Sequence, residues 1–288
     1  METPDIRQCQ YNDESRRLCQ AAALDNPLAE SIILSNVSNN AENFGADTVN
    51  IAVSLLENLG EFLEDEDVFN NVLDTINNLF DVRDNVYEES PESASRVLSS
   101  IDNVAANVPF SNNSNRTTVA RPQFALDIQV VLSENFNGLT FSVELNSDGQ
   151  LDDNSLSGDS TSTAGSLELP NDLLIDVIGS ARLAFGTLTG DSLFVQSSTG
   201  PTRSLRSIIL SFDVYSYNGT KMIISNLQTP ISLSFEVSEV TGNLLCAFWD
   251  EETSQFSTEG CTTMNNGEEG ILNCECDHLS FFGAVEEE

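Results

Sequence analysis

The chain has 288 residues, of which 40% are hydrophobic, and this is enough to bury the core of one large domain or two ordinary ones. Its 46 aspartates and glutamates outnumber its 11 lysines and arginines, and the formal net charge of -35 at pH 7 argues against nucleic acid and anionic membranes as partners. The acidic excess is most simply a solvated surface that keeps the protein in solution.

The beginning of the chain, residues 1–22, is predicted to be an N-terminal segment. It lacks the apolar core of a signal peptide, so we expect either that a leader preceded Met1 or that Met1 begins an excised fragment. Cys9 and Cys19 could pair across a short loop, or each could pair with a cysteine upstream of this chain.

Residues 23–110 are predicted to form a helical subdomain, because apolar residues recur at helical spacing from about residue 15 to residue 108. Ser90, Pro91 and Glu92 are typical of a helix start, and Pro109 is typical of a helix end. Two apolar stripes carry this prediction. They are Val68, Val72, Leu73, Ile76, Leu79 and Phe80 in the first, and Val97, Leu98, Ile101, Val104, Ala105 and Val108 in the second.

Residues 111–123 have no periodicity and are predicted to be a linker. From residue 124 to residue 288 the apolar period changes to two, as in half-buried antiparallel strands. The clearest alternations are Phe141/Val143/Leu145, Ile208/Leu210/Phe212/Val214 and Ile231/Leu233/Phe235/Val237. We therefore predict an α+β fold, with a helical subdomain followed by an antiparallel β-sandwich.

Four of the six cysteines lie between residues 246 and 276, which is typical of a disulfide framework in a secreted protein. Cys274 and Cys276 share one face of an extended segment, where their Cβ atoms lie ~6.5 Å or more apart, beyond the ~3.5–4.5 Å that a disulfide allows. Each therefore needs a partner from another strand. Two pairings stay open: Cys246–Cys274 with Cys261–Cys276, or the crossed alternative.

A zinc site is the alternative for these residues, because cysteine and histidine are the ligands that zinc prefers and His278 lies close by. Structural zinc sites usually have paired C-x2–4-C knuckles, whereas Cys246 and Cys261 lie far apart in sequence. We therefore expect disulfides, no metal and no cofactor.

Four Asn-x-Ser/Thr triplets agree with a secretory compartment. They begin at Asn36, Asn112, Asn115 and Asn218, which are candidate glycosylation sites. Together with the cysteines they predict an extracellular or cell-surface location.

The single histidine of the chain, His278, precedes Ser280 by two residues, so a base and a hydroxyl nucleophile flank Leu279. His278 could take the proton from Ser280 Oγ while this oxygen attacks the carbonyl carbon of Leu279. The resulting ester would then be hydrolysed by water. The pattern predicts a chain that cuts itself once, between Leu279 and Ser280, and does not turn over a substrate.

The order of these residues resembles a known motif. The pattern Cys246-x-Phe248-Trp249, Phe256, Gly260-Cys261, Cys274-x-Cys276 and His278-Leu279-Ser280-x-Phe282 is similar to the GPS proteolysis motif, here at residues 246–285. This motif ends the GAIN domain of adhesion G-protein-coupled receptors and of polycystin-1-like proteins. The predicted order of helices and strands agrees with the GAIN-A and GAIN-B subdomains. The segment 166–170 is also similar to a recurrent strand of GAIN-B.

The resemblance implies that the fragments stay associated after cleavage, with the last strand, Ser280, Phe281, Phe282, Gly283 and onward to Val285, buried in the sandwich. In the receptors this strand is a tethered agonist. The implied partners are therefore the chain's own C-terminal strand, a seven-helix membrane domain and an extracellular ligand.

This chain departs from the receptor pattern in two ways. Glu286, Glu287 and Glu288 stand where receptors continue with apolar residues, so we expect a truncated ectodomain or a protein without a receptor half. The nucleophile is Ser280, whereas the family uses threonine more often. Two alternatives stay open. One is an uncleaved structural or adhesion coupling module of the same fold, and the other is a polycystin-1-like ectodomain, to which Phe281-Phe282-Gly283 is similar.

Overall fold

The computed structural model describes residues 12–110, 114–156, 163–197, 203–216, 218–237, 242–264 and 270–287. The chain divides into two compact units. One comprises Met1–Pro109 with Ser192–Val195, and the other comprises Phe110–Asp191 with Gln196–Glu288. Within the described ranges, no helix has the length and apolar character needed to cross a membrane.

The first unit is helical. Its helices are α1 (Asp13–Ala22), α2 (Pro27–Ser38), α3 (Ala46–Leu59), α4 (Glu66–Leu79), α5 (Asp84–Glu89) and α6 (Pro91–Asn107). Side chains cap the starts of three of them. Asn12 accepts a hydrogen bond from Ser15 N, Asn26 from Ala29 N, and Asp65 from Asp67 N and Val68 N. Pro91 occupies the first turn of α6, as predicted.

Both predicted apolar stripes are buried in this unit, the first on α4 with Phe80 at its C-cap and the second on α6 with Val108. The predicted boundary at residue 22 does not match the start of the helices, because helix α1 already lies inside the segment 1–22. Only Leu18 and Ala21 are buried apolar residues of α1, so its polar sequence carries a weak helical signal.

The second unit consists of antiparallel strands. They are β1 (Arg116–Arg121), β2 (Phe124–Leu132), β3 (Leu139–Val143), β4 (Gly165–Leu169), β5 (Ser180–Leu188), β6 (Arg203–Leu205), β7 (Ile209–Ser216), β8 (Lys221–Met222), β9 (Ile231–Glu236), β10 (Asn243–Asp250), β11 (Gln255–Ser257), β12 (Cys261–Thr263), β13 (Ile271–Cys276) and β14 (Phe281–Glu287). The three predicted alternations fall on β3, β7 and β9. The segment 166–170 falls on β4.

These strands form two sheets. The larger has the order β1-β2-β5-β7-β14-β10-β11, with β6 paired to β14 and β8 paired to β7, and the smaller has the order β12-β13-β9-β4-β3. Side chains from both sheets share one buried core. Phe141 of the smaller sheet stacks on Phe185 of the larger, with ring centroids 4.9 Å apart. Helices followed by antiparallel sheets confirm the predicted fold class at this level.

The predicted linker 111–123 is wrong for part of its length. Residues 116–121 form β1, which pairs with β2 along its whole length. No residue of β1 is fully buried, because it is the edge strand of its sheet, and its sequence therefore lacks the alternation of a half-buried strand. Arg116 anchors it with a two-point contact to the buried carboxylate of Asp127, at 2.9 and 2.6 Å.

Candidate active site

His278, Leu279 and Ser280 lie in the short connection between β13 and β14, where the chain passes from the smaller sheet to the larger. Two backbone hydrogen bonds hold this connection. Leu279 N donates to Ile224 O at 3.2 Å, and Phe212 N donates to Ser280 O at 3.3 Å. The peptide bond between Leu279 and Ser280 is therefore tethered on both sides.

The imidazole of His278 has one polar contact and two aromatic ones. Its Nδ1 lies 3.0 Å from Asp277 Oδ1. Phe248 meets the ring edge-on at 4.3 Å between centroids, and Phe282 lies at 5.6 Å. The other nitrogen, Nε2, is buried and has no hydrogen-bond partner among the described residues. Such a nitrogen is unusual, because buried polar atoms are normally paired.

The hydroxyl of Ser280 is engaged elsewhere. Ser280 Oγ donates to Trp249 O at 3.2 Å, across the pairing of β14 with β10. The structure thus places the two predicted residues on either side of Leu279 but does not join them by a hydrogen bond.

Gly260 completes the surroundings of His278. Its φ is +73°, and a Cβ at this position would lie 2.4 Å from Asp277 Oδ1 and 3.0 Å from His278 Nδ1. Its carbonyl oxygen accepts a hydrogen bond from Asp277 N at 3.0 Å. Both the backbone conformation and the close approach therefore require glycine.

The sequence analysis assigned no role to Asp277, and it named Phe248 only as part of the motif pattern. The signal for Asp277 was its carboxylate next to the single histidine. Phe248 offered no comparable signal, because its contact with His278 depends on the register of β10 against β14, which pairs Phe248 with Phe282.

Two disulfides hold the elements around this site. Cys246–Cys274 joins β10 of the larger sheet to β13 of the smaller, with 5.7 Å between Cα atoms. Cys261–Cys276 joins the neighbouring strands β12 and β13, with 4.1 Å between Cα atoms. This is one of the two pairings that the spacing left open, and the crossed pairing is wrong. The zinc alternative is also wrong, because the four sulfurs are bonded in two pairs and none is a thiolate that could bind zinc.

A cavity of about 440 Å³ opens beside the Leu279–Ser280 bond. His278, Leu279 and Ser280 line one side, and the acidic residues Asp213, Asp250, Glu251 and Glu252 line much of the rest with Lys221. Lys221 Nζ lies 3.0 Å from Asp213 Oδ1. The cavity is lined by both charged and apolar residues and has room for several water molecules.

The strand after the site, β14, lies between β10 on one side and β7 and β6 on the other. It starts one residue after Ser280 and continues past Val285 to Glu287, so Glu286 and Glu287, two of the glutamates that depart from the receptor pattern, are part of it. Glu286 is 3% exposed and pairs with Arg206 at 2.5 Å. Its other carboxylate oxygen accepts a hydrogen bond from Gly242 N.

The remaining predicted site residues lie away from this region of the sequence. Asn36 on α2, Asn115 before β1 and Asn218 after β7 have exposed side chains, as glycan attachment requires. Asn112 and Cys9 lie outside the described residues. Cys19 is disulfide-bonded.

Comparison with known proteins identifies the family. Residues 124–285, more than half of the chain, match the family model described as "GPS: GAIN subdomain B". A segment of 67 residues, 23% of this chain and 12% of the relative, is 30% identical to adhesion G protein-coupled receptor G3 of the mouse, Mus musculus. The full extracellular region of zebrafish Gpr126/Adgrg6 has a similar structure, with a TM-score of 0.70 and 19% identity over 88% of this chain and 34% of that chain.

The chain thus spans a small part of the curated receptor and about a third of the solved extracellular region. Of the two parents that the motif left open, these relatives favour the receptor type. The family match, the receptor segment and the shared fold show that the chain belongs to the GAIN/GPS family and is a GAIN domain of the kind found in adhesion G-protein-coupled receptors.

Proposed function

We propose that this protein cleaves its own chain between Leu279 and Ser280. The observation that carries the proposal is the buried Nε2 of His278, which has no hydrogen-bond partner in the described part of the chain and lies two residues before a serine in a tethered connection. A buried imidazole nitrogen whose lone pair accepts no hydrogen bond is suited to accept a proton. The hydroxyl group nearest to it in sequence is that of Ser280.

The first step is an acyl shift from nitrogen to oxygen. Ser280 Oγ leaves Trp249 O, gives its proton to His278 Nε2 and forms a bond to the carbonyl carbon of Leu279. The bond from that carbon to Ser280 N then breaks, and the imidazolium returns the proton to this nitrogen. The product is an ester between Leu279 and Ser280 Oγ with a free amino group on Ser280.

The second step is hydrolysis. A water molecule in the cavity beside the site attacks the ester carbon, the bond to Ser280 Oγ breaks, and Oγ takes up one proton of the water. Leu279 is left with a carboxylic acid, which loses the other proton to solvent and becomes a carboxylate. Because the nucleophile and the scissile bond belong to one chain, each molecule reacts once.

The fragments are expected to stay together as parts of one β-sandwich. Phe281 and Phe282 are both buried, and burial of a phenylalanine side chain contributes about 1.5–3 kcal/mol. The strand also keeps its backbone hydrogen bonds to strands on both sides.

In a full-length parent this domain would be an extracellular module before a seven-helix membrane domain, and β14 would be its tethered agonist. The relatedness to the mouse receptor supports this, as do the disulfides and the exposed Asn36, Asn115 and Asn218. An extracellular ligand would then act by displacing β14.

A second function is favoured by the hydrogen bond from Ser280 Oγ to Trp249 O, because this bond keeps the hydroxyl away from His278. In that case the domain stays intact and serves as a structural coupling module of the same fold.

Intact mass spectrometry of denatured protein distinguishes the two functions. Self-cleavage gives a fragment ending at Leu279 and the nine-residue peptide 280–288, whose masses sum to that of the intact chain plus one water. Ser280→Ala and His278→Ala should both stay intact. Ser232→Ala, on the exposed face of β9, should cleave as the unmutated chain does. An unmutated chain that is natively folded and still has its full-length mass would exclude self-cleavage.

A further inference from the structure

We propose that Asp277 is the positioning residue for His278, holding the imidazole in the tautomer that carries its proton on Nδ1 and leaves Nε2 as the base. The claim that Asp277 assists catalysis rests on the proposed self-cleavage. The claim that Asp277 sets the tautomer does not, because the tautomer of His278 can be measured in a protein that is never cleaved.

The hydrogen bond fixes the direction of donation. An ionised carboxylate has no proton to give, so in the 3.0 Å contact between Asp277 Oδ1 and His278 Nδ1 the ring nitrogen is the donor. A neutral imidazole with its proton on Nδ1 has a lone pair on Nε2. The buried, unpartnered Nε2 is therefore the nitrogen that can take the proton from Ser280.

Asp277 is itself firmly placed. Its backbone N donates to Gly260 O at 3.0 Å, and its backbone O accepts from Leu227 N at 2.8 Å. The preceding residue, Cys276, is held by its disulfide to Cys261. The carboxylate is thus carried by a backbone that is held at three points.

The aromatic neighbours of the ring cannot replace this contact. Phe248 and Phe282 restrict the ring but offer no hydrogen-bond acceptor that distinguishes one tautomer from the other. Asp277 also supplies a negative charge beside the imidazolium that forms during proton transfer, and so stabilises that state. This is the role of the orienting carboxylate in hydrolases that use a serine–histidine pair.

The tautomer can be read directly, because the chain contains one histidine. The protein is labelled with ¹⁵N-histidine in the Ser280→Ala background, and long-range ¹H–¹⁵N NMR spectra distinguish a protonated Nδ1 from a protonated Nε2. We expect a protonated Nδ1. Adding Asp277→Ala should move the population toward the Nε2-protonated form that histidine prefers in water. A protonated Nε2 in the Ser280→Ala protein, or a tautomer that Asp277→Ala leaves unchanged, would overturn the inference.

The rate of cleavage, measured in a protein that keeps Ser280, tests whether this positioning of His278 assists the reaction. Asp277→Ala should slow cleavage after pulse labelling by about tenfold or more, which is part of the 10²–10⁴-fold that a positioned general base contributes. Asp277→Asn has nearly the same shape but can turn its amide N–H toward Nδ1, so it should also be slow. A purely steric role for Asp277 predicts normal cleavage by Asp277→Asn, and that result would contradict the proposal.

Glu259→Ala is the matched control, since it removes an exposed acid next to Gly260 that does not line the cavity beside the site. It should cleave at the parental rate. Asp277 is 43% exposed at its side chain, so its variants are expected to fold and to melt at the parental temperature. If the unmutated protein and Glu259→Ala both fail to cleave, the proposal of self-cleavage is wrong, and the NMR result alone decides whether Asp277 sets the tautomer.

Discussion

Arg206 and Glu286 form an ion pair near the end of β14, with Arg206 Nη2 2.5 Å and Arg206 Nε 2.6 Å from Glu286 Oε2. Glu286 is buried, and Gly242 N donates to its other oxygen. A charged residue can occupy this interior strand position because both carboxylate oxygens are paired.

Replacement of Arg206 by alanine should therefore destabilise the β-rich unit, because it leaves a buried carboxylate without its cation. We expect the free energy of unfolding to fall by about 2–3 kcal/mol. Urea unfolding followed by the fluorescence of Trp249, the single tryptophan, measures this loss. The double variant Arg206→Ala/Glu286→Ala should recover part of it.

Glu287→Ala is the control for this pair. Glu287 is the next residue on the same strand, but it is exposed and its contact with Arg203 is 3.2 Å long. Exposed ion pairs contribute about 0–1 kcal/mol, so this variant should unfold almost as the parent does. If Arg206→Ala and Glu287→Ala lowered the free energy of unfolding equally, the burial of Glu286 would not determine the contribution of its ion pair to stability.

Gly260→Ala should slow self-cleavage and lower stability. The new Cβ would lie 2.4 Å from Asp277 Oδ1 and 3.0 Å from His278 Nδ1, so carboxylate and ring must move apart. Gly149→Ala is a close match for the backbone effect, because Gly149 has a φ of +74° and its Cβ would have no neighbour within 4 Å. Both variants should lose about 1 kcal/mol of stability from the left-handed backbone. Only Gly260→Ala should also lose cleavage, as measured by intact mass after a fixed chase.

Removal of the Cys261–Cys276 disulfide should affect both stability and cleavage. This bond closes a loop with a sequence separation of 15, for which chain entropy predicts about 3 kcal/mol. Its two cysteines adjoin Gly260 and Asp277, so we expect the double alanine variant to position His278 poorly. The Cys246–Cys274 bond, with a separation of 28, is the comparison. If its removal lowers the cleaved fraction more than removal of Cys261–Cys276, the latter does not position the site.

Glu30 gives the helical unit a pH-dependent stability. Burial raises the pKa of this carboxyl above its ordinary value of 4.5, because desolvation disfavours the charged form. The folded state therefore holds the proton more tightly than the unfolded state, and stability is lost as the pH rises through the raised pKa. Glu30→Gln should melt at a higher temperature than the parent at neutral pH, and the difference should vanish below pH 4.5.

Glu64→Gln, at an exposed position between α3 and α4, is the control and should leave the melting temperature unchanged at both pH values. Far-UV circular dichroism is the suitable measurement, because it reports on the helices. A Glu30→Gln protein that is no more stable than the parent at neutral pH would contradict the expected desolvation.

The sequence indicated the elements whose periodicity is long and whose apolar face is fully buried. The stripe from Val68 to Phe80 and the alternation from Ile208 to Val214 are of this kind. The helical spacing that begins near residue 15 included part of α1, but the predicted subdomain boundary at residue 22 left this helix out, because α1 buries few apolar side chains. The sequence did not indicate β1, because no side chain of this strand is completely buried. Element signals weaken where burial is partial, and both misses lie at the border of a predicted domain.

At the site, spacing along the chain was enough to single out His278, Ser280 and the four cysteines, because they crowd into a short segment. The contacts that orient them join residues distant in sequence. Trp249 O meets Ser280 Oγ only through the register of β10 on β14, and Cys261 faces Cys276 only through the register of β12 on β13. Periodicity does not determine register between separate strands, so these relationships required the structure.

The position of β14 in the interior of its sheet determines what its departure would leave behind. Withdrawal of this strand would uncover the backbone N–H and C=O groups of β10 on one side and of β7 and β6 on the other. Such a slot accepts an extended peptide of suitable pattern, including the same strand from a second molecule. A molecule that has lost β14 should accordingly bind the β14 strand of another molecule, and such association in solution would show that the strand has left its sheet.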